Sequence, residues 1–66
     1  MYRFNVPDMT CQHCVMTITK TVKAQDPKAE VDIDLPAHVV KVESSLPAEQ
    51  FRREIEEAGY TPTLQG

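Results

Sequence analysis

No stretch of this chain stays apolar for anything near the roughly 20 residues of a membrane-crossing helix, so direct membrane insertion is not expected. Nor does Met1-Tyr2-Arg3-Phe4-Asn5-Val6-Pro7, polar at alternate positions, have the long apolar stretch of a secretion signal. The expected compartment is cytoplasmic. Basic residues are in short supply, with 7 Lys and Arg against 10 Asp and Glu and a formal net charge of −3. Phosphate backbones are bound by an excess of Lys and Arg, so nucleic acid is not an expected partner. Length is limited too: 66 residues make one domain, expected to span residues 1–66. A domain of this size buries only about 60% of the surface its unfolded chain exposes, which leaves a thin core and little room for a deep pocket. Binding at a surface loop is the easier expectation. Internal repeats, low-complexity tracts and linkers are missing as well. The chain stops two residues after its last expected strand, which suits a free-standing domain.

Cysteine occurs only at Cys11 and Cys14. A disulfide between them would close a tiny loop and do little to staple a fold. Two close cysteines in a reducing compartment point instead to metal ligation or redox activity.

What is present reads as alternating short elements. Tyr2, Phe4 and Val6 alternate with Arg3 and Asn5, the period-2 pattern of a strand with one buried face, which Pro7-Asp8 ends. From about Gln12 to Gln25, Val15, Ile18 and Val22 recur at helical spacing, and Asp26-Pro27 stops the helix. Val31, Ile33 and Leu35 alternate with two aspartates in a second strand. After Pro36-Ala37 a third strand runs from His38 to Glu43, so these two form a hairpin. Pro47 is expected in the first turn of a second helix, with Phe51, Ile55 and Ala58 as its apolar face and Gly59 as its stop. Glu49 and Arg53 are spaced for an i,i+4 pair on its solvated side. Tyr60 to Leu64 is the last strand, at an edge that suits Pro62. The order is βαββαβ. Two helices with one apolar stripe each cover one face of a four-stranded antiparallel sheet, an α+β, ferredoxin-like open-faced sandwich.

Asp8-Met9-Thr10-Cys11-Gln12-His13-Cys14 lies between the first strand and the first helix, with Cys11 in the loop and Cys14 in the first turn. That bend brings both sulfurs toward one point. The amide donors and positive potential of a helix N-terminus favour the thiolate form. Two exposed thiolates make a soft site of low coordination number, and Cu(I) accepts two or three soft ligands. Structural zinc wants four, and only His13 is a further local candidate. His13 is expected to point away from the sulfurs as a solvated loop histidine, with ligation at a dimer interface as the alternative. Covalent haem attachment needs a histidine directly after the second cysteine, where Val15 stands, so that use is excluded. A thioredoxin-like oxidoreductase also starts a helix with CxxC, but that fold needs about 100 residues.

These residues resemble those of the heavy-metal-associated (HMA) domain family, the small copper chaperones and the N-terminal metal-binding domains of copper-transporting P-type ATPases. The resemblance covers nearly the whole chain and is carried by Met9-Thr10-Cys11-Gln12-His13-Cys14, Val15, Ile18 and Glu56-Glu57-Ala58-Gly59-Tyr60. It implies that Cys11 and Cys14 bind Cu(I) and that Met9 packs under the loop without ligating. It also places Tyr60 close to the loop, like the tyrosine of many bacterial chaperones, as a supporting group or as plain core packing. Thr10 occupies the position where zinc-exporting relatives often carry an acidic ligand. Asp8 departs from the family's usual Gly; it either finishes the turn, lowers affinity, or contacts a partner. His38 is expected to lie in a hairpin far from the loop. The function so implied is a copper(I) metallochaperone, not an enzyme, that hands its ion to a copper-transporting P-type ATPase metal-binding domain. Gln12, His13 and an exposed Met16 are expected at the docking surface, and the chain is expected as a monomer or a metal-bridged homodimer. The alternatives are a carrier of Hg, Zn, Cd or Ag on the same fold and a thiol-disulfide redox protein.

Overall fold

The computed structural model describes residues 1–65. Its elements are β1 (Tyr2–Asn5), α1 (Gln12–Gln25), β2 (Glu30–Asp34), β3 (Val39–Glu43), α2 (Ala48–Glu57) and β4 (Thr63–Leu64). The strands form one antiparallel sheet in the spatial order β2-β3-β1-β4, the ferredoxin-like arrangement expected from the sequence.

The alternation in the strands becomes two rows across the sheet. Tyr2, Val42 and Val31 are in register, as are Phe4, Val40 and Ile33. Phe4, Val40 and Val42 are fully buried beneath Ile18 and Val22 of α1 and Phe51 and Ile55 of α2. The row between them, Arg3, Lys41 and Asp32, belongs to the opposite face, where Lys41 pairs with Asp32 on one side and with the like-charged Arg3 on the other. The Tyr2 hydroxyl donates to the Leu46 carbonyl at 2.7 Å, tying β1 to the segment before α2. Asp26 caps the end of α1, and its carboxylate accepts the Ser44 hydroxyl at 2.5 Å. That contact, ahead of the Lys28 backbone N–H, holds the Asp26 carboxyl below its ordinary pKa.

Four details differ from the sequence reading. Pro47 is the N-cap of α2, one position before the first turn. Ala58 is exposed at the C-cap, because a ten-residue helix ends before its stripe returns to the core. Gly59 follows it at φ 105°, the left-handed conformation that glycine adopts without steric cost. The i,i+4 pairing of Glu49 with Arg53 gives way to Arg52, which bridges Glu49 and Glu56 because it sits between them on the same face. Exposed bridges of this kind contribute little to stability. Finally, Tyr60, Thr61 and Pro62 precede β4 rather than belonging to it, with Asp8 holding the Thr61 backbone N–H and Pro62 buried instead of lying on the edge strand.

Because neighbouring strands alternate in direction, β1 ends where β3 and β4 begin. The β1–α1 loop, the β2–β3 turn and the α2–β4 connection therefore gather at one end of the sheet.

Candidate metal-binding site

Pro7 and Asp8 turn the chain off β1, and the Met9 N–H donates back to the Val6 carbonyl at 3.1 Å. The Met9 side chain is fully buried in the core, which pins the middle of the loop and keeps its thioether away from the rim. Thr10 is exposed. Cys11 is the N-cap of α1, with extended backbone angles (φ −147°, ψ 167°), and its carbonyl accepts the Cys14 N–H at 3.0 Å. Cys14 is the third residue of the helix, so its side chain comes back over the N-cap. The two sulfurs meet at 3.4 Å, both as free thiols, with Cys11 exposed and Cys14 half-buried.

The surroundings favour the thiolate. The Cys14 thiol is lowered from 9.0 to about 7, first by the Tyr60 hydroxyl, then by the Thr10 backbone N–H and the Cys11 thiol, against a partial burial that pushes it up. Reciprocally, the Tyr60 phenol is raised, mainly by its hydrogen bond to Cys14 and then by burial. Tyr60 thus does two things at once: its ring packs against the core and its hydroxyl serves the sulfur.

Replacing Tyr60 with phenylalanine removes the largest downward influence, so the midpoint of Cys14 alkylation against pH is expected to rise above about 7. A thiol whose folded pKa is depressed adds stability that is fully present above its unfolded value and is lost as pH falls through the folded one. The metal-free protein is therefore expected to become more stable between pH 6 and 9, and Tyr60→Phe to flatten that rise. Urea unfolding midpoints measured across this range check both.

Two more residues brace the loop. The Asp8 carboxylate accepts the Thr61 backbone N–H and the Thr61 hydroxyl, each at 3.2 Å, stapling the start of the loop to the residue that follows Tyr60. Asp8 thus does more than finish a turn. His38 is a correction: far from lying away from the loop, its Nδ1 is 2.9 Å from the Met9 carbonyl and its own carbonyl accepts the Val6 N–H at 2.8 Å. The convergence of the three connections at one end of the sheet is the reason.

His13 is exposed one position before Cys14, and its backbone carbonyl accepts the Thr17 hydroxyl at 3.1 Å. Among the described residues no cluster of three His, Cys, Asp or Glu that could hold a metal ion is formed, so His13 is not brought to the sulfurs. Met16, 51% exposed, lies one turn beyond His13 on the same helix. What the geometry offers is a pair of soft sulfurs at a protein surface, with the Cys14 thiol lowered toward its anion. Such a pair suits a soft ion of low coordination number and leaves room for a further ligand from outside.

The profile of the heavy-metal-associated domain family matches residues 3–61. The chain belongs to that family. Similar to this HMA domain is the COP-associated protein of Helicobacter felis, 42% identical over 57 residues, covering 83% of this chain and 86% of that protein. The crystal structure of a gold binding protein superposes with a TM-score of 0.95 at 37% identity, covering 98% of this chain and all (100%) of that one. The copper chaperone Atx1 from Synechocystis PCC6803 superposes at 0.92 with 35% identity, covering 96% of this chain and 100% of that one. A superoxide dismutase 1 copper chaperone of Debaryomyces hansenii is 32% identical over 96% of this HMA domain, which spans only 25% of that protein's length. Among the described residues no helix is long and apolar enough to cross a membrane.

Proposed function

We propose that this HMA domain is a metallochaperone that carries one Cu(I) ion between the thiolates of Cys11 and Cys14. The observation that supports this best is the pair of free sulfurs 3.4 Å apart at the rim, joined by no third donor among the described residues. A cage of four ligands holds its ion as part of the structure. Two ligands leave the ion open to attack, which is what delivery needs. The superoxide dismutase 1 copper chaperone, Atx1 and the gold binding protein join this fold by name to copper and to gold, both soft metals.

Delivery is ligand exchange without change of oxidation state. An incoming thiolate of the partner adds to the ion and makes it three-coordinate. One of the two cysteines then leaves and takes up a proton. Cys11, exposed at the N-cap, is the more reachable sulfur, whereas Cys14 is held by Tyr60 and the Thr10 amide. No bond within a substrate is made or broken, so the role is carriage rather than catalysis. The partner is a metal-binding domain with its own CxxC pair, such as that of a copper-transporting P-type ATPase. It docks over the loop and the exposed side of α1 at Gln12, His13 and Met16. That helix carries Lys20 and Lys23 and no acidic residue, although the whole chain is net negative. An acidic partner face therefore fits it. Thiols kept reduced point to a cytoplasmic setting.

The test is anaerobic titration of the reduced protein with Cu(I) against a competing chelator. One ion per chain and retention of Cu(I) in preference to Zn(II) are expected. Tighter binding of Zn(II), or thiol-disulfide turnover without metal, would sink the assignment.

A further inference from the structure

The β2–β3 turn carries a group that acts on the metal loop from outside it. Resting on the Cu(I) role above, we propose that His38 is a positioning residue, whose Nδ1–H holds the Met9 carbonyl and thereby fixes the Met9–Thr10 peptide group beside Cys14.

The turn is well anchored. The His38 N–H donates to the Leu35 carbonyl at 3.1 Å, and the His38 carbonyl accepts the Val6 N–H at 2.8 Å. The ring, half-buried, places Nδ1 2.9 Å from the Met9 oxygen. A carbonyl only accepts, so Nδ1 carries the proton. This sets the tautomer of the neutral ring, with Nε2 unprotonated. His38 also stands at φ 58°, where glycine would sit with less strain. What histidine adds at this position is the donor.

The held carbonyl belongs to a rigid plate. Peptide groups are planar, and those of the described residues are all trans, so the Met9 C=O and the Thr10 N–H point in opposite directions within one plane. On the side away from His38, the Thr10 N–H is among the influences that lower the Cys14 thiol. The imidazole therefore holds one end of an amide whose other end acts on Cys14. Donation at the oxygen also polarises that amide and strengthens its N–H as a donor. The buried Met9 side chain and the Met9 N–H bond to Val6 fix the chain before the plate. Without the imidazole, the plate is free to turn about the bonds on either side, moving the Thr10 N–H relative to Cys14 and shifting Cys11, the next residue.

Three substitutions separate the donor from the rest of the ring. His38→Asn keeps an N–H donor on Cγ, at the position of Nδ1, and asparagine tolerates positive φ. His38→Asp has the same shape but presents only acceptors to the carbonyl. His38→Gly removes the side chain and relieves the backbone. In metal-free wild type at pH 8, the ring ¹⁵N spectrum is expected to show Nδ1 protonated. The Asn variant is expected to keep the wild-type hydrogen-exchange rate of the Thr10 amide and the wild-type Cu(I) affinity. The Gly and Asp variants are expected to exchange Thr10 faster and to bind Cu(I) more weakly, each by roughly 2- to 10-fold, the range of one neutral hydrogen bond. Thermal unfolding confirms that every variant is folded. An Nε2-protonated ring in the wild type, or Gly and Asp variants with wild-type Thr10 exchange, overturns the proposal. Should the wild type hold no Cu(I), the chaperone reading falls alone, and the tautomer and Thr10 exchange in the metal-free protein still decide the role of His38.

Discussion

Replacing either Cys11 or Cys14 with serine is expected to lower Cu(I) affinity by more than about a hundredfold. Losing a partner of a metal ligand already costs about 10- to 100-fold, and here half of the ligand set itself is removed. A hydroxyl keeps the size of the thiol but is hard and stays protonated at neutral pH, so it does not replace a soft anion. The two substitutions should differ in everything except binding. Cys11 is the N-cap of α1 and makes no side-chain cap bond, whereas serine is a preferred N-cap residue. Cys11→Ser is therefore expected to leave stability unchanged or to raise it slightly. Cys14→Ser puts a hydroxyl that stays neutral where the thiol ionises beside Tyr60 and Thr10, and so removes the rise in stability between pH 6 and 9. Competition titration and urea unfolding on the same two variants separate ligation from folding. Affinity within tenfold of wild type for either variant would contradict the assignment of that sulfur.

The second large effect concerns the body of the protein. Phe51→Ala is expected to cost about 3–5 kcal/mol, the usual range for emptying a fully buried aromatic site. Phe51 has no exposed surface and lies on α2 against Tyr2, with ring centroids 6.4 Å apart. A chain of 66 residues has roughly 3–10 kcal/mol of net stability at ordinary per-residue values. One such cavity thus removes a large part of the total. A urea midpoint close to zero, or a partly unfolded population at 25 °C, is the expected reading. Met16→Ala, at an exposed position of α1, should stay within about 0.5 kcal/mol of wild type and serves as the control. Equal effects at the two positions would mean that the core is not packed as described.

Strand faces and helix stripes were legible because burial leaves a period in the sequence. Tyr2, Phe4 and Val6, and Val40 with Val42, point the way that alternation predicts. Ala58 misled because a stripe read by spacing alone does not say where a helix stops, and α2 stops one residue earlier. The order of the elements and the placement of Cys11 and Cys14 at a helix start could be read from local signals. The braces of the loop could not, since they join residues 29 and 53 positions apart. His38 is the instructive case. As an isolated histidine in a hairpin it carries no sequence signal, yet the ferredoxin-like topology already places the β2–β3 turn at the end of the sheet that holds the β1–α1 loop. Following the strand directions would have found it. Asp8 offered a hint, being an acidic residue in an unusual position, but its partner Thr61 sits in a segment that the sequence reads as strand.

The eleven buried residues among those described, Pro62 included, are all apolar, and none of them is a cysteine. The cohesion of the molecule therefore calls on no metal ion. Small zinc modules collapse when stripped, because the ion supplies their folding energy. A carrier built this way survives its own emptying and returns for another cargo without having to rebuild itself. On the proposed role, loading and unloading are confined to a few atoms at the rim, and each round trip ends with the same scaffold that began it.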